Sequence, residues 1–197
     1  DMEGLTYEDL SDPKWKGRVA IRSSGNMYNQ SLVASLIANN GVDATEKWAH
    51  RFVGNFARKP EGNDRAQIMA VANGEADVAV ANSYYIGLML SGKKGEEQQA
   101  AARKVELHFP GQDGRGAHIN VSGAGLMKNA PNAGNAVKFI EFLLSEEAQS
   151  HIVNNTYEFP MLEGVAPSDL IAQFGSGFKE DQTSVASYGE FLSLIHI

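Results

Sequence analysis

The stretch Asp77-Val78-Ala79-Val80-Ala81-Asn82-Ser83-Tyr84-Tyr85 decides how this chain reads. Its first five residues are almost continuously apolar, the pattern of a parallel strand buried on both faces. Asn82-Ser83 turns the chain, and Tyr84 opens a helix. An earlier stretch has the same layout: a short apolar strand, Arg18-Val19-Ala20-Ile21, then a loop of small residues, Arg22-Ser23-Ser24-Gly25-Asn26. An amphipathic helix follows from near Asn29 to Asn40, with Gly41 at its C-terminal stop. Between the two units, a helix over about 44–59 spaces Trp48, Phe52 and Phe56 four apart before Pro60 ends it. A further helix, 65–73, is capped by Asn63-Asp64 and closed by Gly74. Strands alternating with helices through short loops predict an α/β chain, a parallel sheet with helices on both faces. Ligands of such sheets bind at the carboxyl ends of the strands. Tyr28 follows one such end and Tyr84-Tyr85 another, so parallel strands would put all three phenols on one edge.

Working outward, Thr6 caps a short helix that begins at Tyr7. Residues 91–104 are polar, with Lys93, Lys94, Glu96 and Glu97, and read as a solvated loop and helix face. Two strands are expected at 105–109 and 117–121, joined by the glycine-containing turn 111–116. Residues 132–153 read as one helix whose apolar stripe is Val137, Phe139, Ile140, Leu143 and Leu144, with Glu146-Glu147 outside it. Residues 157–160 return as an extended segment. The terminal string 192–197 leaves this pattern; it reads as a non-native tail resembling translated adapter sequence and is left out of the fold argument.

Composition narrows the chemistry. The chain has 197 residues, a formal charge of −7 and no cysteine. The acidic balance argues against a nucleic-acid footprint, which needs a basic face. No run approaches the roughly 18 apolar residues of a membrane span. Without thiols, disulfides, thiolate metal sites and cysteine nucleophiles are excluded together. A metal held here must take oxygen or imidazole ligands.

Adjacent aromatics after a buried strand ordinarily just pack. Three features favour a ligating role for Tyr84 and Tyr85: they start a helix on the binding edge, Tyr28 approaches the same edge, and no carboxylate or zinc motif competes. Phenolate is a hard anionic donor that suits a hard, highly charged cation. With a free phenol pKa of about 10, such a cation must displace the protons, and Fe(III) is well suited to do so. The Ser23-Ser24-Gly25 loop reads equally well as an anion nest or as an ordinary strand-to-helix turn. The histidines are not spaced as ligand pairs: His50 reads as a surface residue, and His118 as a strand residue at a hinge or behind the site. Glu46, Glu61, Asp64, Glu75 and Asp77 read as caps or exposed charges, with no pair set for acid–base hydrolysis.

Several stretches together resemble the periplasmic ferric-ion-binding proteins of ABC importers. They are 7–18 (Tyr-Glu-Asp-Leu-Ser-Asp-Pro-Lys-Trp-Lys-Gly-Arg), Gly62-Asn63-Asp64-Arg65-Ala66-Gln67, 77–87 with its double tyrosine, and His118-Ile119-Asn120-Val121-Ser122-Gly123. Phe139-Ile140-Glu141-Phe142-Leu143-Leu144-Ser145 and Glu158-Phe159-Pro160 belong with them. The resemblance covers 5–191. It implies a two-lobed type II periplasmic-binding-protein fold that closes on Fe(III), with Tyr84 and Tyr85 as paired phenolate ligands and Tyr28 as the extra tyrosine of a tyrosine-rich branch. Ser24, Gly25, Asn63 and Asn82 match positions where another branch holds a synergistic anion. It further implies a monomeric binding protein rather than an enzyme, periplasmic or lipid-anchored at the cell surface, handing ferric ion to an ABC permease in the inner membrane.

On this resemblance, 1–112 corresponds to most of a C-terminal lobe, 113–157 to the remaining fragment of the N-terminal lobe, and 158–191 to the return into the C-terminal lobe. Most of the N-terminal lobe, with its further ligands, is expected to be missing. The residues alone leave two other readings open. One is an importer receptor for an organic anion or polyamine, with the tyrosines stacking on it. The other is a two-domain enzyme on the same fold.

Overall fold

Val19 and Ala20 (β1) pair in parallel with Val78 and Ala79 (β2), Val19 opposite Val78 and Ala20 opposite Ala79, in the computed structural model, which describes residues 2–175, 177–183 and 190–191. The ladder is short, but hydrogen bonds extend it at both ends: Val80 N–H donates to Ala20 O at 3.0 Å and Asp77 N–H to Arg18 O at 2.8 Å. A parallel bridge from Val19 to Phe56 adds a third segment beside β1.

Helices cover this sheet: α1 (Met27–Asn40), α2 (Val42–Val53), α3 (Asp64–Ala72), α4 (Tyr84–Leu90) and α5 (Glu96–Ala102). Asn26 starts α1, its side chain accepting from Tyr28 N–H at 3.0 Å, so the helix begins two residues before the expected Asn29. Asn63 starts α3 in the same manner, accepting from Ala66 N–H. The helix expected over 44–59 stops at Val53. Beyond Gly54, the buried Asn55 side chain donates to Leu10 O and Asp12 O, both at 2.8 Å, and Phe56 is drawn to the sheet. Two cores result. One gathers Leu10, Trp15, Val19, Leu36, Trp48 and Phe52 under α1 and α2. The other packs Ile68, Ile86, Met89, Ala101, Tyr157 and Ile171 between α3, α4, α5 and α8 (Asp169–Ala172).

The later half departs from expectation. Residues 105–109 and 117–121 are not strands among the described residues; only Ala117 pairs, bridging Glu180. In 105–109 the alternating side chains are satisfied by packing instead of by a ladder: Val105 and Leu107 lie on the second core, and Phe109 stacks on Phe178 at 4.2 Å between ring centroids. The single helix expected over 132–153 is two, α6 (Ala133–Leu143) and α7 (Glu146–Thr156). Ser145 divides them by capping α7, accepting from Ala148 N–H at 3.2 Å, with Glu146 and Glu147 in the favourable first turn. The apolar stripe of α6 is not covered; no residue of that helix is buried. The tail 192–197 lies outside the described residues.

Candidate metal centre at the strand ends

Because β1 and β2 are parallel, both run their carboxyl ends to one edge, and the loops leaving that edge carry the phenols. Tyr28 is in the first turn of α1 and Tyr84-Tyr85 open α4. The β1–α1 loop is held by Asn29, whose amide donates to Arg22 O at 2.7 Å and Ser23 O at 3.0 Å. The hydroxyl of Tyr84 donates to that of Tyr28 at 3.1 Å across 56 positions of sequence. The rings of Tyr84 and Tyr85 lie 4.3 Å apart, tilted by 31°, and their side chains are hydrogen-bonded. Burial, then the hydrogen bonds with Tyr28 and Tyr85, push the Tyr84 phenol above its ordinary 10, since each disfavours the charged form.

A cavity of about 800 Å³ opens in front of Tyr28 and Tyr84, with Asn82, Asn120, Ser122 and Glu158 on its polar wall. Asn120 donates to Asn82 Oδ1 at 2.9 Å, while Asn82 Nδ2 is buried without a hydrogen-bond partner. Asn82 therefore joins the tyrosine edge. Ser24, Gly25 and Asn63 do not line this cavity. Ser24 and Gly25 are exposed, and the Gly25 N–H is taken by Ser23 Oγ at 3.3 Å, so the loop is closed on itself. Asn63 is spent as the α3 cap.

Asp64, read from sequence as a cap or an exposed charge, is neither: it is almost wholly buried. One carboxylate oxygen pairs with Arg22 and the other accepts from Asn82 N–H at 2.9 Å. Burial alone would lower the Arg22 guanidinium; the hydrogen bond and charge of Asp64 raise it overall, and the Tyr85 oxygen adds a hydrogen bond and a favourable charge interaction. The same guanidinium lies 5.6 Å from the centre of the Tyr28 ring. An Arg closing β1 and an Asp just inside a helix were the available signals. His50 is exposed as expected. His118 is in a loop beside the cavity, Nε2 3.0 Å from Ser31 Oγ. Among the described residues, no group of three or more histidines or carboxylates could hold a metal ion; the cavity wall sets Glu158, Asn82, Asn120 and Ser122 beside the phenols of Tyr28 and Tyr84.

Residues 5–179 match the family of bacterial extracellular solute-binding proteins. Among curated relatives, Iron uptake protein A1 of Synechocystis sp. is 55% identical over 95% of this chain and 52% of its own length. The Major ferric iron-binding protein of Neisseria meningitidis is 30% identical over 82% of this chain and 48% of its own. The chain thus spans about half the length of the curated relatives it matches. Among solved structures, a Trichodesmium protein (IdiA, FutA) in complex with iron and citrate ligands superposes with a TM-score of 0.94 at 50% identity, covering 98% of this chain and 60% of that one. Apo FutA2 from Synechocystis gives 0.91 at 43% identity, covering 99% and 62%. The parallel sheet, the edge where its loops meet and these matches agree on one conclusion: the fold is that of type II periplasmic binding proteins, and the chain belongs to the bacterial extracellular solute-binding protein family.

Proposed function

We propose that this chain is a large part of a periplasmic receptor that captures Fe(III) through the phenolates of Tyr28, Tyr84 and Tyr85 and delivers it to an ABC permease. The observation that carries the reading is the meeting of three phenols from two loops at one sheet edge, Tyr28 and Tyr84 in direct hydrogen bond. An iron-uptake relative, a ferric iron-binding relative and a neighbour in complex with iron support the choice of cargo. Three phenolates balance the charge of a ferric ion, and the exchange of protons for metal makes capture depend on a highly charged cation. Residues 1–112 form the main lobe, 113–157 the remaining fragment of a second lobe and 158–191 the return. The open, apolar face of α6 supports that division. The rest of the ligand set would come from the second lobe, and the protein would act as a monomer in the periplasm, free or lipid-anchored.

The test is an Fe(III)-citrate titration of the full-length protein, followed by absorbance. Ferric phenolate gives a visible charge-transfer band. Replacing Tyr84→Phe and Tyr85→Phe removes two oxygens and little volume, so the fold should survive while band and binding are lost. Acidification should release the ion, since protons compete for the phenol oxygens. Retained colour and near-native affinity in the double variant would sink the assignment.

A further inference from the structure

The Arg22–Asp64 pair stands directly behind the tyrosines and contacts each loop that carries them. Asp64 is 2% exposed at its side chain and Arg22 19%, a degree of burial that demands a purpose or a partner. Asp64 grips both halves of the edge. It pairs with Arg22 at the end of β1 and accepts from the backbone of Asn82 at the end of β2. Arg22 in turn reaches the Tyr85 oxygen and lies against the Tyr28 ring. Asn29 holds the Arg22 carbonyl, tying the same residue to the first turn of α1.

We propose that Arg22, held by Asp64, is a positioning residue of the tyrosine cluster: it fixes the Tyr85 oxygen and the Tyr28 ring relative to each other and places a permanent positive charge behind the phenolate donors. This rests on the phenolate reading above. A planar guanidinium suits the role because it can donate to a carboxylate and a phenol at once while presenting its face to a ring; a lysine ammonium supplies the charge without that geometry. Asp64 keeps the fork from turning into the cavity, where it would repel a cation. The charge behind Tyr85 also holds its electrons more tightly, so transfer from phenolate to Fe(III) costs more energy than it would without Arg22.

The test compares the full-length protein with Arg22→Lys and with the double variant Arg22→Met, Asp64→Asn. The double change avoids leaving a buried carboxylate unpaired, and the new side-chain amide keeps an oxygen for Asn82 N–H. With ferric citrate as probe, the double variant should bind roughly tenfold more weakly, as the loss of one charge-assisted hydrogen bond implies. Its charge-transfer band should move to longer wavelength. Arg22→Lys should restore most of the band position and only part of the affinity. A merely structural pair would lower the melting temperature and leave band position and affinity of the folded protein unchanged, which overturns the proposal. Absence of any band in the unaltered protein would overturn the phenolate reading, and this inference with it; a normal band that no Arg22 variant moves overturns this inference alone.

Discussion

His118 shows what burial does to a single titratable group beside the cavity. Burial pulls its pKa down from 6.5 to about 4, with the nearby Arg115 charge acting in the same direction; a side-chain hydrogen bond with Asn120 and the charge of Asp181 oppose the change. Since the folded value lies below the unfolded one, the unfolded chain binds more protons between them. The stability that neutral His118 preserves is therefore complete above about pH 6.5 and falls as pH drops toward 4, by about 3 kcal/mol in all. Urea melts near pH 7 and near pH 4 should show that loss, and His118→Gln should remove about that much of it. An unchanged difference in the variant would mean the imidazole is not shielded. The sequence announced a histidine worth watching here but assigned it to a strand. Adjacent tyrosines after a buried strand ordinarily pack; what singled out the three phenols was the helix start on an edge that Tyr28 also approaches. The sequence did not announce Asp64, because a carboxylate one residue past an asparagine cap looks like ordinary helix-start chemistry. Its partner Arg22 is 42 positions away, and no local pattern connects them.

The short helix α4 carries the paired tyrosines on one end and is wedged into the second core by its middle. Gly87 is what permits the approach: a Cβ there would fall 2.7 Å from Tyr157 Cβ and 2.9 Å from Ile171 Cδ1. Gly87→Ala should cost about 1–3 kcal/mol by overpacking and, in the full-length protein, weaken the proposed ferric binding by tilting Tyr84 and Tyr85 off the edge. Equal melting temperature and affinity in the variant would show that α4 shifts freely. Asn63 was the best-read helix start; Asn26 supplies the same side-chain acceptor for an early backbone N–H of α1, whose start was placed two residues too late. The Ser145-Glu146-Glu147 signal was present too, yet a continuing apolar period masked it and two helices were read as one. Strands fared worse where alternation alone was the guide. Val105, Leu107 and Phe109 alternate because every second side chain meets a core or an aromatic stack, and that pattern is the same whether or not a neighbouring strand supplies a ladder.

At the scale of the molecule, the described residues form a well-packed body around the sheet and an open flank beyond it. Phe139 and Phe142 of α6 are 60% and 47% exposed, and Val121, Leu126 and Met127 stand nearby in sequence and are exposed as well. Apolar surface of this kind marks a face made to be covered, and the rest of the proposed second lobe, to which α6 itself is assigned, is its occupant. The 197-residue chain by itself should self-associate, and Phe139→Glu with Phe142→Lys should shift it toward monomer in sedimentation velocity. A monomeric, cooperatively melting unaltered chain would contradict the proposal. The stripe of α6 was legible as apolar, but periodicity reports only which residues share a face; what lies against that face is decided by other parts of the molecule. A face of this type answers to two opposed selections. In this chain, solvent favours charge at 137, 139 and 142; with the rest of the proposed second lobe present, its packing would favour the residues already there. A map of tolerated substitutions drawn from this chain alone would then be inverted at those positions, scoring as gains the very changes that keep the proposed second lobe from closing its own core.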